Sequence, residues 1–145
     1  MAEYLEETDF PFPIDRVWKL LEAHLDDATL PQIHPKIKAQ KTLHRSPNEA
    51  LVQRTIEARG KLLTSEWRIG FRPPEFLRYD IVSGDGPYAT GSFVEIHYSE
   101  GPGRTHFRTH VKGRITVVPF FLPQATVLKR VLADIDAEDE AYLRR

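Results

Sequence analysis

Between residues 104 and 118 apolar and charged side chains alternate: Thr105, Phe107, Thr109, Val111, Ile115 and Val117 fall on one side, His106, Arg108, His110, Lys112 and Arg114 on the other. A period of two over this length predicts a strand with one buried and one wet face, as in an antiparallel sheet. Gly113 falls in the buried row, where a missing side chain marks a bend or bulge. The same period appears at 61–72, with Trp67, Ile69 and Phe71 opposite Glu66, Arg68 and Arg72, and at 91–99, with Val94, Ile96 and Tyr98 opposite Glu95 and His97. Shorter strands are predicted at 3–10, 37–44, 51–58 and 76–82. Between them lie Pro11-Phe12-Pro13, Arg45-Ser46-Pro47-Asn48-Glu49, Pro73-Pro74, Ser83-Gly84-Asp85-Gly86-Pro87 and Gly101-Pro102-Gly103, residues that interrupt ladders or favour turns.

Elsewhere the period lengthens. Ile14, Val17, Trp18, Leu21 and Leu25 recur every three or four residues, which predicts an amphipathic helix after Pro13. A second short helical turn is predicted over 28–34, stopped by Pro35. Leu128, Val131, Leu132, Ile135 and Tyr142 form one stripe of a helix over 122–143, with Lys129, Arg130, Asp134, Asp136, Glu138 and Glu140 covering the rest. Such a helix is roughly 33 Å long. Following six strands, it must lie across the sheet to hide its stripe. The predicted order is strand, two short helices, six strands, long helix. That order describes an α+β layer, a curved seven-stranded antiparallel sheet wrapped around the C-terminal helix, with a cavity where one helix underfills the concave face.

The chain has 145 residues, the size of one domain, and 1–145 is expected to form one. Hydrophobic residues at 41% and charged residues at 28% give an ordinary globular balance. A net charge of −1 provides no global field for nucleic acid. The absence of cysteine removes disulfides, thiolate nucleophiles and cysteine-based zinc sites. The acidic start, Met1 to Glu7, lacks the apolar run of a secretory signal, and no stretch reaches the roughly 18 apolar residues of a membrane span. A cytoplasmic protein without integral membrane association is expected.

Several phrases, in order along essentially the whole chain, resemble the START / polyketide-cyclase / birch-pollen-allergen (SRPBCC) superfamily. They are the opening strand followed by Phe12-Pro13-Ile14-Asp15-Arg16-Val17-Trp18-Lys19-Leu20-Leu21, then Pro73-Pro74-Glu75-Phe76-Leu77-Arg78-Tyr79, then Gly103-Arg104-Thr105 before the long alternating strand. Ile33-His34-Pro35-Lys36-Ile37 sits where relatives often carry a tryptophan-containing phrase, and here has a histidine instead. The resemblance implies the helix-grip fold and an internal pocket for an apolar or amphipathic small molecule. It implies no particular activity, because members bind, carry or transform their ligands and share no catalytic motif.

The candidates for chemistry are polar residues that interrupt apolar rows. Arg54 is in phase with Val52, Ile56 and Ala58. Either it points inward and needs an acceptor, a carboxylate or a ligand oxygen, or the register is off by one and its head reaches solvent. Tyr79 and Tyr98 are in phase with apolar neighbours and offer hydroxyls to a ligand oxygen, or are simply satisfied core. Trp67, Ile69, Phe71, Val94, Ile96, Phe107, Leu128 and Leu132 complete the predicted pocket lining. His34, at the end of the second helical segment, is either an acid or base near the pocket mouth or a helix-end residue.

The six histidines do not space like metal ligands. His106 and His110 are four apart on one strand, roughly 13 Å, and neither a His-Glu-x-x-His nor a Cys-His pattern occurs. No metal and no other cofactor is expected, and the basic row from His106 to Arg114 reads as a solvated face. No Gly-x-Ser-x-Gly is present, and Gly84-Asp85-Gly86 lacks the Gly-Lys-Ser/Thr of a phosphate loop. Three readings follow. The first is a binder of a hydrophobic small molecule such as a lipid, polyketide or quinone, acting as a monomer or weakly associating homodimer. The second is a cyclase or dehydratase-like enzyme using polar groups in the same cavity. The third is an interaction module docking a protein through its convex face.

Overall fold

The computed structural model describes residues 1–119 and 121–145; Phe120, within the apolar run before the last helix, lies outside the described residues. The elements are β1 (Ala2–Phe10), α1 (Ile14–His24), α2 (Leu30–Ile33), β2 (Ile37–Arg45), β3 (Glu49–Ala58), β4 (Lys61–Arg72), β5 (Phe76–Gly84), β6 (Phe93–Gly101), β7 (Arg104–Gly113) and α3 (Gln124–Leu143). The seven strands form one sheet in the order β1-β7-β6-β5-β4-β3-β2, and every pairing is antiparallel. β2 to β7 is a meander of consecutive neighbours. β1 pairs at the far edge, with Ala2 opposite Gly113 and Phe10 opposite Thr105. Residues 11–36 therefore cross the full width of the sheet, and α1 and α2 lie in that crossing. This is the helix-grip fold.

α1 starts where its sequence dictates. Pro13 is extended at the N-cap, and Asp15 in the first turn complements the helix dipole. The apolar face of α1 buries Val17, Trp18, Leu20 and Leu21, and the same face carries His24 in the last turn. Two clusters make up the core. One joins Phe10, Phe12, Val17, Trp18, Leu21, Ile69, Leu77, Tyr98 and Leu143 under α1. The other joins Tyr4, Val111, Ile115 and Leu128 beneath the start of α3.

The longest predicted strand stops earlier than its alternation. β7 ends at Gly113, where a Cβ would come within 3.0 Å of Ser92 Oγ. Beyond it Ile115 remains buried and makes an isolated bridge to Tyr88, so the pattern of inward and outward side chains outlasts the ladder. At the β4–β5 pairing a register shift falls between Glu66 and Trp67. Just beyond it Gly84, opposite Ser65, sits at φ +102°, and a Cβ there would lie 2.7 Å from Ser65 Cα, a site only glycine fills. Beside it Trp67 Nε1 donates to Ser65 Oγ at 2.8 Å, which fixes the indole over the concave face.

The basic row of β7 is answered by acids. His106 contacts Asp9 and Glu7, Arg108 contacts Glu7, and His110 contacts Glu3, all on β1. His110 is also paired in register with Glu95 of β6. The stripe is one half of an alternating-charge surface. Among the described residues no helix is long and apolar enough to cross a membrane.

Candidate functional site

A cavity of about 240 Å³ lies between the concave face of the sheet and α3, bordered by residues from both core clusters. Of the pocket residues predicted from the sequence, Arg54, Trp67, Tyr79, Val94 and Ile96 border it from the middle of the sheet. Tyr98, Phe107, Leu128, Leu132 and His34 border it from the remaining sides. Ile69 and Phe71 do not. They share the inward face of β4 with Trp67, but Ile69 is 1% exposed within the cluster under α1 and Phe71 packs against the same cluster. Alternation specifies a face of the strand, not a position along it, and the helix fills the end of the face that these two residues occupy.

Arg54 carries the most unusual environment. Flanked on β3 by Val52 and Ile56, it is 4% exposed. Its Nε donates to Gln40 Oε1 at 2.7 Å. Gln40 is itself held by donating Nε2 to His24 O at 3.0 Å and to Asp27 Oδ1 at 3.1 Å. Asp27 in turn accepts from the Thr42 amide and hydroxyl, and these bonds keep its carboxyl below its ordinary range against the opposing effect of burial. The guanidinium lies 4.6 Å from the Trp67 ring centroid and 5.6 Å from that of Tyr79, positions suited to cation–π attraction. Burial lowers the Arg54 pKa, with Tyr79 and Tyr88 opposing, yet guanidinium stays charged in proteins. Its Nη2 is buried without a hydrogen-bond partner.

Three tyrosines accompany it. Burial pushes the Tyr79 and Tyr88 hydroxyls up to about 12 and raises Tyr98 as well, so all three stay protonated donors at neutral pH. Tyr98 stands edge-on to Trp18 and Phe107. Tyr88 comes from the loop after β5 and meets Trp67 edge-on at 5.8 Å.

The other polar wall comes from three helices. Asp139 Oδ1 lies 2.9 Å from His24 Nε2 and 2.8 Å from His34 Nε2, and the two imidazole nitrogens are 3.3 Å apart. His34 Nδ1 faces Glu138 Oε1 at 3.2 Å. His24, His34 and Asp139 are all buried. Burial drives the His24 pKa down against the opposing pull of Asp139. At His34 burial acts the same way but is outweighed by Asp139 and Glu138, so its pKa rises. Burial would raise Asp139, but the bonds from both histidines keep it below its ordinary value. One turn away on α3, burial, Asp139 and Glu6 push Asp136 up to about 7.

This wall corrects the helix pattern read from the sequence, which put Asp136 and Glu138 on a wet face. Both border the cavity. Asp139 falls in phase with Leu128, Val131, Leu132, Ile135 and Tyr142, filling the one gap in their stripe, and that gap was the available signal. His24 was in phase with α1's apolar face in the same way. Spacing rules for metal ligands search within one element, and these three side chains arrive from three.

No protein-family model matches the sequence, and neither does any curated protein. Solved structures do match in fold. Ara h 8.0201 superposes with a TM-score of 0.77 at 16% identity, covering 98% of this chain and 97% of that one. A START superfamily protein from Mycobacterium smegmatis gives 0.72 at 15%, covering 98% and 97%. The Zhui aromatase/cyclase from Streptomyces sp. R1128 gives 0.68 at 14%, covering 98% and 90%.

Proposed function

From the SRPBCC fold that this chain shares with START, aromatase/cyclase and Ara h 8 structures, we propose that it binds a small, largely apolar molecule carrying an oxygen acceptor. The observation that supports this most directly is the orphaned Nη2 of Arg54. A buried guanidinium donor without a partner costs about 1–3 kcal/mol or more, and an oxygen entering the cavity would remove that cost. Aromatic side chains supply the remaining contacts. At protein packing density, 240 Å³ holds roughly a dozen non-hydrogen atoms, the size of a fused two-ring aromatic and below the usual range for drug-sized ligands.

The test uses naphthalene and 2-naphthoate, which differ only by a carboxylate. Wild type is expected to prefer 2-naphthoate by about tenfold or more, since a charge-assisted bond contributes about 1.5–3 kcal/mol. Arg54→Met is expected to retain naphthalene binding and lose the preference. Calorimetric titration measures both. No binding of either compound, or a preference that survives Arg54→Met, would refute the reading.

A second reading, a cyclase or dehydratase-like enzyme, draws on the acids and imidazoles that face the same cavity. His34, Asp136 and Asp139 provide donors and acceptors opposite Arg54 and Tyr79, the convergence that proton transfer requires. A binder returns its occupant unchanged after incubation, whereas this enzyme returns a product lighter by one water.

A further inference from the structure

We propose that His24, His34 and Asp139 form a site for a divalent first-row transition-metal ion, bound by two imidazoles and one carboxylate with its free positions turned toward the cavity. The first support is the shape of the triangle. Nε2 of His24, Nε2 of His34 and Oδ1 of Asp139 are separated by 2.9, 2.8 and 3.3 Å. For donors about 2.1 Å from an ion, those separations correspond to ligand–metal–ligand angles of about 85° to 105°. Three donors at such angles occupy one face of an octahedron or three corners of a tetrahedron and leave the opposite side open. Among the described residues no other group of histidine and carboxylate atoms converges this way.

The second support is the carboxylate behind His34. Metal-bound histidines commonly give their other ring N–H to a carboxylate, and His34 Nδ1 faces Glu138 Oε1 at 3.2 Å. A neutral His34 that donates there presents a lone pair at Nε2. That Nε2 lies 2.8 Å from the Asp139 oxygen, with His24 Nε2 beside both, so its lone pair is available to an ion held by all three. Imidazole with carboxylate suits zinc, ferrous iron or cobalt over calcium or magnesium.

The third is access. All three ligating residues border the cavity, so an ion with open positions would meet whatever occupies it and would polarise an oxygen of the occupant as a Lewis acid. Only this last consequence rests on the ligand-binding reading; the donor set stands without it.

The test is titration of chelator-treated protein, cavity empty, with Co2+ followed by visible absorption and with Zn2+ followed by calorimetry. A single equivalent is expected to saturate, with the intense absorption of a cobalt ion in a low-symmetry nitrogen–oxygen site. Asp139→Asn is expected to weaken binding by about a hundredfold or more. Glu138→Gln, which spares all three ligands, should weaken it by about tenfold to a hundredfold. His106→Gln, removing an exposed histidine beside carboxylates, should change nothing. Circular dichroism establishes that each variant is folded; should Asp139→Asn fail to fold, the wild-type cobalt spectrum and Glu138→Gln decide. The absence of saturable binding in wild type, or equal binding by the variants, would overturn the site and leave a proton-bridged ion pair in its place. Adding 2-naphthoate to the cobalt form should shift the absorption, and an unchanged spectrum with naphthoate bound would overturn the open face.

Discussion

Gln40→Met is expected to destabilise the protein by about 3 kcal/mol, and adding Arg54→Met is expected to restore about half of that loss. Gln40 Oε1 is the acceptor for Arg54 Nε, and Arg54 is 4% exposed with its Nη2 already unpartnered. Methionine matches glutamine in length and packs well in an apolar wall, so lost volume contributes little. What remains is a buried cation deprived of another partner, a hydrogen bond to a charged group contributing about 1.5–3 kcal/mol, and two acceptors, His24 O and Asp27 Oδ1, deprived of the Gln40 Nε2 donor. Removing the cation as well deletes the first of these defects and leaves the second. The single substitution Arg54→Met leaves a neutral amide oxygen without its donor and takes the guanidinium away from the Tyr79 hydroxyl, a cost of about 1 kcal/mol for each neutral group. Urea unfolding of the four proteins completes a double-mutant cycle. A coupling of at least about 1.5 kcal/mol is expected, and strictly additive changes would show that the bond holds no energy.

The opposite sign is expected at Asp136. Its pKa is pushed from 3.8 up to about 7 by burial, by Asp139 on the same helix and by Glu6 from β1, with His34 opposing. Between those two values the folded chain keeps a proton that the unfolded chain releases, so stability falls as pH rises from about 4 to 7. Above 7 the whole cost is present. Three pKa units correspond to about 4 kcal/mol, and partial solvent access reduces this to about 2. Asp136→Asn, neutral at every pH, is therefore expected to be more stable than wild type by about 2 kcal/mol at pH 8. At pH 5 the two proteins should have nearly equal stability. Urea unfolding in the presence of a chelator measures both. A variant that is no more stable at pH 8 would show that the carboxylate has compensation from solvent.

The strands and the two long helices were legible because burial on one face writes a period into the sequence. Trp67 with its neighbours and Thr105 with Val111 follow the pleat, and Val17 with Leu21 follows the helix. Even Arg54 was readable, since an inward phase places it among Val52 and Ile56. What supports it was not: Gln40 is one polar residue in a polar-looking strand, and its burial comes from the α1–α2 segment, whose His24 and Asp27 it bonds and whose α2 packs on β2. Ile69 and Phe71 show the same limit, because what covers a strand changes along its length. The His24–His34–Asp139 wall required knowing that α1, α2 and α3 meet at one end of the sheet, a tertiary fact that no local spacing contains.

The pairing of β1 with β7 has a consequence for how the chain reaches this structure. Thr8 and Phe107 are register partners, so during synthesis β1 leaves the ribosome about a hundred residues before its neighbour exists. The meander from β2 to β7 assembles by short-range hairpins, whereas β1 closes the largest loop in the molecule. Until it docks, β7 has an open edge, the kind of template that invites pairing with a strand of another molecule. The side chains on that edge discriminate between candidates. A strand offering acids at the positions of Glu3, Glu7 and Asp9 finds hydrogen-bond or ion-pair partners in His110, Arg108 and His106, and a slip by one residue turns all of them to the other face. Surface charges that add little to the finished fold thus favour the native partner at the one moment it is chosen, when β1 meets β7.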